Sequence, residues 1–305
     1  MEFLLTRFTE NWMLLRLLAV LLLLFYLVAM LENFLILLLT VLDQNLHMPM
    51  YFFLRHLSFL DLCLISATVP KSIHSSLTFT DSISCLGCVL QLFLVVLLAG
   101  SETGILTVMS YDRCIAICRP LHHEAVMTKR VCVQIMTVSW FSGGVLGILY
   151  SVGTFSLNFC GSNKIHQFFC DVPALLKLTC SAEHATINIS VAIGVCYAFS
   201  CLVCIVVSYV FIFSTVLNIP SRQSQSKVFS TCLPHLIVVS TFLVTGAIAY
   251  LKPASDVPSS ADLLVSVFYS LAPPTLNPII YCLRNKVIKS SLGKVLWNFR
   301  SSGII

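Results

Sequence analysis

Charge is what this 305-residue chain has least of. Asp, Glu, Lys and Arg together make up 10% of it, against 58% hydrophobic residues, and the mean hydropathy is +0.94. A soluble domain carries about a quarter charged residues. The deficit excludes a water-soluble globule of ordinary composition and points to an apolar surface covered by lipid. Catalytic signatures are missing too: no HExxH, no GxSxG and no paired-carboxylate site marks an enzyme. No CxxC…CxxC pairing occurs among the 14 cysteines, so a zinc site is a poor reading. Glycosylation sequons are scarce. The match at Asn188-Ile189-Ser190 falls at the start of an apolar run, where glycosylation is not expected, and none precedes the first apolar run.

What is present is apolar length. Seven runs, at about 13–42, 49–69, 85–118, 131–155, 186–217, 227–251 and 261–283, are long enough to cross a bilayer as helices. The expected fold is an all-α membrane protein, a seven-helix bundle. Residues 1–12 read as a short extracellular tail. Residues 284–305 read as a cytoplasmic tail opening with a short amphipathic helix, because Arg284 to Phe299 alternates basic and apolar side chains. The first run is too long for a cleaved leader and reads as a signal anchor. Gly143, Gly144 and Gly147 in the fourth run allow close helix approach.

Basic residues orient the bundle. Six of the 18 (Arg7, Arg16, Lys71, Lys164, Lys177 and Lys252) fall on one side, and the other twelve, from Arg55 to Arg300, fall on the opposite side. The richer side is read as cytoplasmic. The loop with Cys160, Cys170 and Cys180 then lies outside, in the oxidising compartment, and with Cys88 it supplies an even set.

Polar residues inside the runs carry the chemistry. Cys88 to Arg113 as one helix spans roughly 37 Å, with Glu102 inside it and Asp112-Arg113 near its end. Glu102 and Arg113 are about three turns apart and so share a face. Acids in hydrocarbon are costly unless paired or hydrated. Asp61 and Glu102, at similar depth, can share a proton, bind a cation or join Asn277 in a polar network; a structural hydrogen-bond cluster is the plain alternative. Glu32 is a third such acid. Arg113 beside Asp112 reads as a switch that pairs with the carboxylate in one state and is released in another. In Asn277-Pro278-Ile279-Ile280-Tyr281 the proline frees a backbone carbonyl, Asn277 can satisfy it, and Tyr281 offers a hydroxyl near the cytoplasm.

Five strings carry a resemblance: LHMPMYFFLRHLSFLDLC (46–63), MSYDRCIAICRPL (109–121), Ser208-Tyr209, SKVFSTCLPHL (226–236) and PPTLNPIIYCLRNK (273–286). Together they are similar to vertebrate olfactory receptors, a class A (rhodopsin-like) group of G-protein-coupled receptors. The stretch from Gly153 to Cys180 is most similar to the family-14 branch. The resemblance implies disulfides Cys88–Cys170 and Cys160–Cys180, and an activation switch at Asp112, Arg113, Tyr209, Asn277, Pro278 and Tyr281. It places Lys227 and the helix after Arg284 near the G protein, and it implies a central cluster of Asp61, Glu102 and Asn277 that suits sodium.

Departures from the family pattern fall at Glu32 (usually Gly), at Cys114 (usually an aromatic) and at Leu243 (usually an aromatic). The ligand pocket is expected in the outer half, lined by Leu92, Val95, Val96 and Ala99, with room at Gly100 and hydroxyls from Tyr197 and Tyr250. Val95 in place of an acid argues against an amine ligand, and the seventh run holds no lysine for a retinal Schiff base. The expected partners are a small volatile organic ligand, a stimulatory heterotrimeric G protein and the lipid bilayer, with no nucleic acid. The expected location is the plasma membrane. A secondary transporter using Asp61 and Glu102, or a receptor with lost function, are the alternatives.

Overall fold

The computed structural model describes residues 2–6, 11–42, 49–78, 81–160, 163–165, 167–180, 185–251, 260–284, 288, 290 and 293. Seven long helices dominate them: Trp12–Leu42, Pro49–Thr78, Cys85–Cys118, Lys129–Phe155, Ala185–Leu217, Arg222–Leu251 and Ser260–Arg284, here called spans one to seven. Even the 25 residues of span seven reach about 37 Å, more than the ~30 Å hydrocarbon layer. Spans one to six, the sixth through Ala247, have the length and apolarity to cross a membrane. Their outward faces are apolar: Leu31 is 68% exposed and Phe141 71%. In lipid such exposure costs nothing.

Span two runs to Thr78, nine residues past its expected end at Val69. Pro70 removes one backbone bond but does not stop the helix. Ile73 packs into the interior beyond it, and the Thr78 hydroxyl donates to the His74 carbonyl at 2.8 Å. Span three starts where Ser84 accepts the Gly87 N–H at 3.1 Å, and span four where Thr128 accepts that of Val131 at 3.4 Å. The expected loop at 43–48, the turn at 252–259 and most of the basic stretch after Arg284 lie outside the described residues. Within that last stretch Ile288, Ser290 and Gly293 are helical, and Ile288 is buried.

The N-terminal tail is not free. Glu2–Leu5 forms strand β1, paired antiparallel to β2 (Ser82–Ser84) and parallel to β3 (Lys164–Ile165). The side chains alternate: Glu2 and Leu4 are exposed, while Phe3 and Leu5 are buried. Phe3 and Leu5 pack with Cys88, Leu92, Cys170 and Leu175, so the tail closes the outer end of the bundle.

Two local features hold the spans in register. Pro278 has no N–H, which leaves the Pro274 carbonyl without its helical partner. The Asn33 side chain of span one donates to that carbonyl at 2.8 Å. Asn277, expected to serve this role, points elsewhere. The second feature is the contact between spans three and four. A Cβ on Gly143 would land on the Leu97 carbonyl and the Ser101 hydroxyl, and one on Gly147 would come within 3.0 Å of the Phe93 carbonyl. Gly144 faces open space and takes no part in the approach.

Gly143→Ala is therefore expected to push the two backbones apart and destabilise the fold by about 1–3 kcal/mol, the usual cost of overpacking. Gly144→Ala should be neutral. Thermal unfolding of both variants in nanodiscs checks this; equal midpoints would refute the packing assignment.

Candidate functional site

The interior holds a column of polar side chains that begins under the outer loop. Cys88 and Cys170 form a disulfide, 5.5 Å between Cα atoms, that ties the top of span three to the loop. One helical turn below Cys88, the Gln91 carbonyl oxygen accepts the Cys170 N–H at 2.8 Å while its amide donates to the Ala67 carbonyl at 2.8 Å. Ser72 of span two donates to the Phe168 carbonyl at 2.9 Å. The loop is thus pinned to spans two and three by both backbone and side-chain bonds.

At mid-depth, Asp61, Glu102 and Asn277 meet. All three are at most 2% exposed. The Asn277 amide donates to both Asp61 oxygens, at 3.3 and 3.2 Å, and to Glu102 Oε1 at 3.2 Å. One amide from span seven thereby bridges acids on spans two and three. Glu102 Oε2 is buried without a hydrogen-bond partner. Two carboxylates this close, with one oxygen to spare, present a hard, oxygen-rich donor set of the kind alkali cations accept.

The third of the bundle farthest from the disulfide contains a second network. Arg113 of span three donates from one terminal nitrogen to the Thr231 carbonyl of span six and lies 3.9 Å from Met50 Sδ with the other. Its neighbour Asp112 does not pair with it. Instead, Asp112 Oδ1 meets His123 Nε2 at 2.8 Å. The two carboxylate–arginine partners expected from adjacency are separated because consecutive helical residues point about 100° apart. Tyr209 of span five lies 2.8 Å from His235 Nδ1, and His235 Nε2 lies 2.9 Å from the Leu106 carbonyl. A carbonyl only accepts, so Nε2 carries the hydrogen; in the neutral ring Nδ1 then accepts from the Tyr209 hydroxyl. The buried Tyr281 hydroxyl has no partner among the described residues. A bond from span three to span six, beside unfilled donors, is an arrangement that can exist in two states.

Comparison with known proteins decides the family. A family model described as olfactory receptor matches residues 22–298. Human olfactory receptor 14K1 is 75% identical over all 305 residues and 97% of its own length. The chain belongs to the olfactory receptor family. Human olfactory receptor 14A16 is 53% identical over 97% of this chain and 95% of its own. Squid rhodopsin shares 14% identity but superimposes with a TM-score of 0.73 over 95% of this chain and 88% of its own, a likeness of fold. Olfactory receptors are multi-pass membrane receptors rather than enzymes, and family-14 members recur among the relatives.

Within this olfactory receptor the expected pocket residues divide. Val95 is buried, and Val96 and Ala99 are half-buried, along span three. Leu92 is taken up by the apolar cluster beneath the disulfide. Gly100 does not leave room: a Cβ there would sit 3.1 Å from the Gly143 Cα. The Tyr197 hydroxyl is committed as well, lying 3.0 Å from the Gly100 carbonyl and 3.2 Å from the Ser142 hydroxyl. Both residues serve the junction of spans three, four and five, where small residues let helices touch. The Tyr250 side chain lies outside the described residues. Lys227 is exposed at the inner end of span six, and Asn188 lies in the first turn of span five.

Cys160 and Cys180 stand as two exposed thiols in mutual contact, not as the disulfide implied by the resemblance. Cys160 N–H donates to the Leu178 carbonyl and Cys180 N–H to that of Asn158, each at 3.1 Å, which sets the cysteines diagonally rather than directly opposite. The contact holds the Cys180 thiol above its ordinary pKa.

His123, His235 and Gln91 carry no mark in the sequence reading, whereas Asn33 stands out there as a polar residue inside span one. A signal existed for His235, a polar ring within an apolar run, and for Gln91 likewise.

Removing the Asn277 amide leaves the two acids facing each other undivided. Asn277→Ala is expected to lower stability by about 1.5–3 kcal/mol, the range for hydrogen bonds to charged groups. Adding Glu102→Gln should recover most of that loss. Thermal midpoints of the single and double variants check it, and a strictly additive loss would refute the bridge.

Proposed function

We propose that this olfactory receptor binds small volatile organic molecules in the outer half of its bundle and activates a stimulatory heterotrimeric G protein, raising cyclic AMP. The observation that carries the proposal is the bond from Arg113 on span three to the Thr231 carbonyl on span six. It closes the cytoplasmic end where a G-protein helix would enter. An agonist that binds the open arrangement more tightly shifts the population toward it. Opening releases Arg113 from span six and gives Tyr281 a chance to find a partner. Val95, Val96 and Ala99, with Tyr250, remain the proposed pocket surface, and its apolar character suits an odorant. The plasma membrane is the proposed location, and the distribution of basic residues supports an orientation with the N-terminus outside and the C-terminus in the cytoplasm.

Sodium is proposed at Asp61 and Glu102, where it would favour the closed bundle. Raising sodium at constant ionic strength should raise the thermal midpoint, and Asp61→Asn should abolish that rise. A midpoint that does not respond to sodium would remove the ion from the account.

The function is tested in cells displaying the chain, by cyclic AMP measured against a panel of volatile compounds at known surface density. A response is expected, and Arg113→Ala should reduce it at least tenfold at equal surface amount. A response untouched by Arg113→Ala would refute the switch.

A further inference from the structure

The crease between spans two and four has a basic foot and an apolar wall. We propose that it holds an anionic phospholipid, its phosphate clamped by Arg55, Lys129 and Arg130 and an acyl chain lying along Val133, Phe59 and Trp140. The proposal requires only that these spans cross a bilayer; that the leaflet is the inner one rests on the orientation proposed above.

Spans two and four run in the same direction. Span two ends beside the outer loop, where Ser72 bonds the Phe168 carbonyl, and span four ends where Phe155 packs on the cluster around the disulfide. The two touch where the rings of Phe59 and Trp140 lie 6.1 Å apart. Span two begins at Pro49 and span four at Lys129, so their first turns lie at nearly the same level, about 15 Å below that contact. Phe52, Arg55 and Phe59 are spaced three and four apart and share one face of span two. On span four, Lys129 and Arg130 stand one turn below Val133, and Val133 two turns below Trp140, again on one face. Phe59 and Val133 are exposed to lipid.

Arg55 is aimed at the basic foot. Helical side chains lean toward the start of their helix. The Arg55 guanidinium carbon lies 6.0 Å from the centre of the Phe52 ring, three positions earlier. On span two that direction leads away from the disulfide, to the level where Lys129 and Arg130 stand exposed.

The charge at this foot is uncompensated. Arg55 Nε is buried without a hydrogen-bond partner, and no carboxylate among the described residues pairs with Arg55, Lys129 or Arg130. Glu124, in the loop before span four, is exposed and forms no ion pair with them. A cation beside hydrocarbon is costly unless it meets a counter-charge. A lone arginine near a helix end meets that need by reaching water. Three cations on one crease attract an anion instead. The planar guanidinium matches phosphate oxygens with paired N–H donors, while the lysine ammonium adds a point charge. A net-negative headgroup fits this set better than a zwitterionic one, which brings an ammonium of its own. The exposed apolar stripe above the foot suits the attached acyl chain, so the phosphate is that of a lipid.

The test is native mass spectrometry of the full-length receptor, released from micelles containing equal amounts of phosphatidylserine and phosphatidylcholine. The wild type is expected to retain phosphatidylserine preferentially. Arg55→Gln and Arg130→Gln should each cut that retention about fivefold, the size for one basic residue facing an anionic surface. Together they should lose less than the product of the two, because both hold one phosphate. Lys177→Gln makes the same charge change at the opposite end of the bundle and should have no effect. Unchanged retention in Arg55→Gln and Arg130→Gln would overturn the proposal. So would an equal loss of both lipids, or an equal loss in Lys177→Gln. If Arg55→Gln fails to fold, Arg130→Gln, at an exposed position, decides the matter alone. Micelles offer both lipids to both ends of the bundle, so the outcome does not depend on the orientation.

Discussion

Hydrocarbon offers no hydrogen bonds, and that constraint accounts for most of what this chain does with its few polar residues. Helical backbone groups and hydroxyls such as those of Thr40 and Thr68 bond within their own span, and the larger polar side chains reach across to other spans. The Pro274 carbonyl, stripped of its helical donor by Pro278, is met by Asn33 from the opposite end of the sequence. The acids of spans two and three are met by one amide from span seven. His235 of span six spends one ring nitrogen on span three and the other on span five. These bonds join helices that apolar packing alone would not orient, because lipid solvates an apolar helix as well as another helix does. The scarcity of charge in the sequence and the specificity of the bundle are therefore linked. A small number of polar groups, each costly if left alone, fixes which helix faces which.

The same constraint explains how the bundle can have two states. A polar network that was complete would give one deep minimum. Here it is incomplete at particular places: Glu102 Oε2, Arg113 Nε and the Tyr281 hydroxyl are buried without partners among the described residues. Each is a donor or acceptor that a rearranged bundle can satisfy. They lie along the column from the acid cluster to the end farthest from the disulfide, where Arg113 holds the Thr231 carbonyl. Packing near the outer end is different in kind. There the disulfide, Gln91 and the strand Glu2–Leu5 lock loop and tail against spans two and three, so a shift of the inner ends has a fixed base to work against.

The seven spans were legible because hydrocarbon accepts only long apolar helices, and their lengths follow from bilayer thickness. The acids were legible for the opposite reason: Asp61 and Glu102 stand out in apolar runs, and the structure brings both to Asn277. Other features left no such mark. Strand β1 is four residues long, too short for a period of two to be distinguished from chance, and its partners lie 80 and 160 residues away. His123 sits in a polar connection where a histidine is commonplace, and its bond to Asp112 depends on the 3-10 turn Pro120–His122 just before it, which sequence did not foretell. Gly100 reads in sequence as room for a ligand and Tyr197 as a free hydroxyl, since both belong to spans that face the interior. Inward has several directions in a bundle, and only the neighbouring Gly143 and Ser142 tell which helix each one meets.

Asp112 and Arg113 show most sharply how adjacency in sequence misleads. Opposite charges side by side suggest an ion pair, yet neighbouring helical residues diverge by about 100°. Each then bonds what lies on its own side: Asp112 the loop between spans three and four, Arg113 span six. Asp112 is thus tied to the loop and Arg113 to span six, and no hydrogen bond joins the two. Cys114 stands beside them as a small neighbour where the resemblance implies an aromatic. The contacts of Arg113 with the Thr231 carbonyl and Met50 hold the guanidinium in place without an aromatic wall.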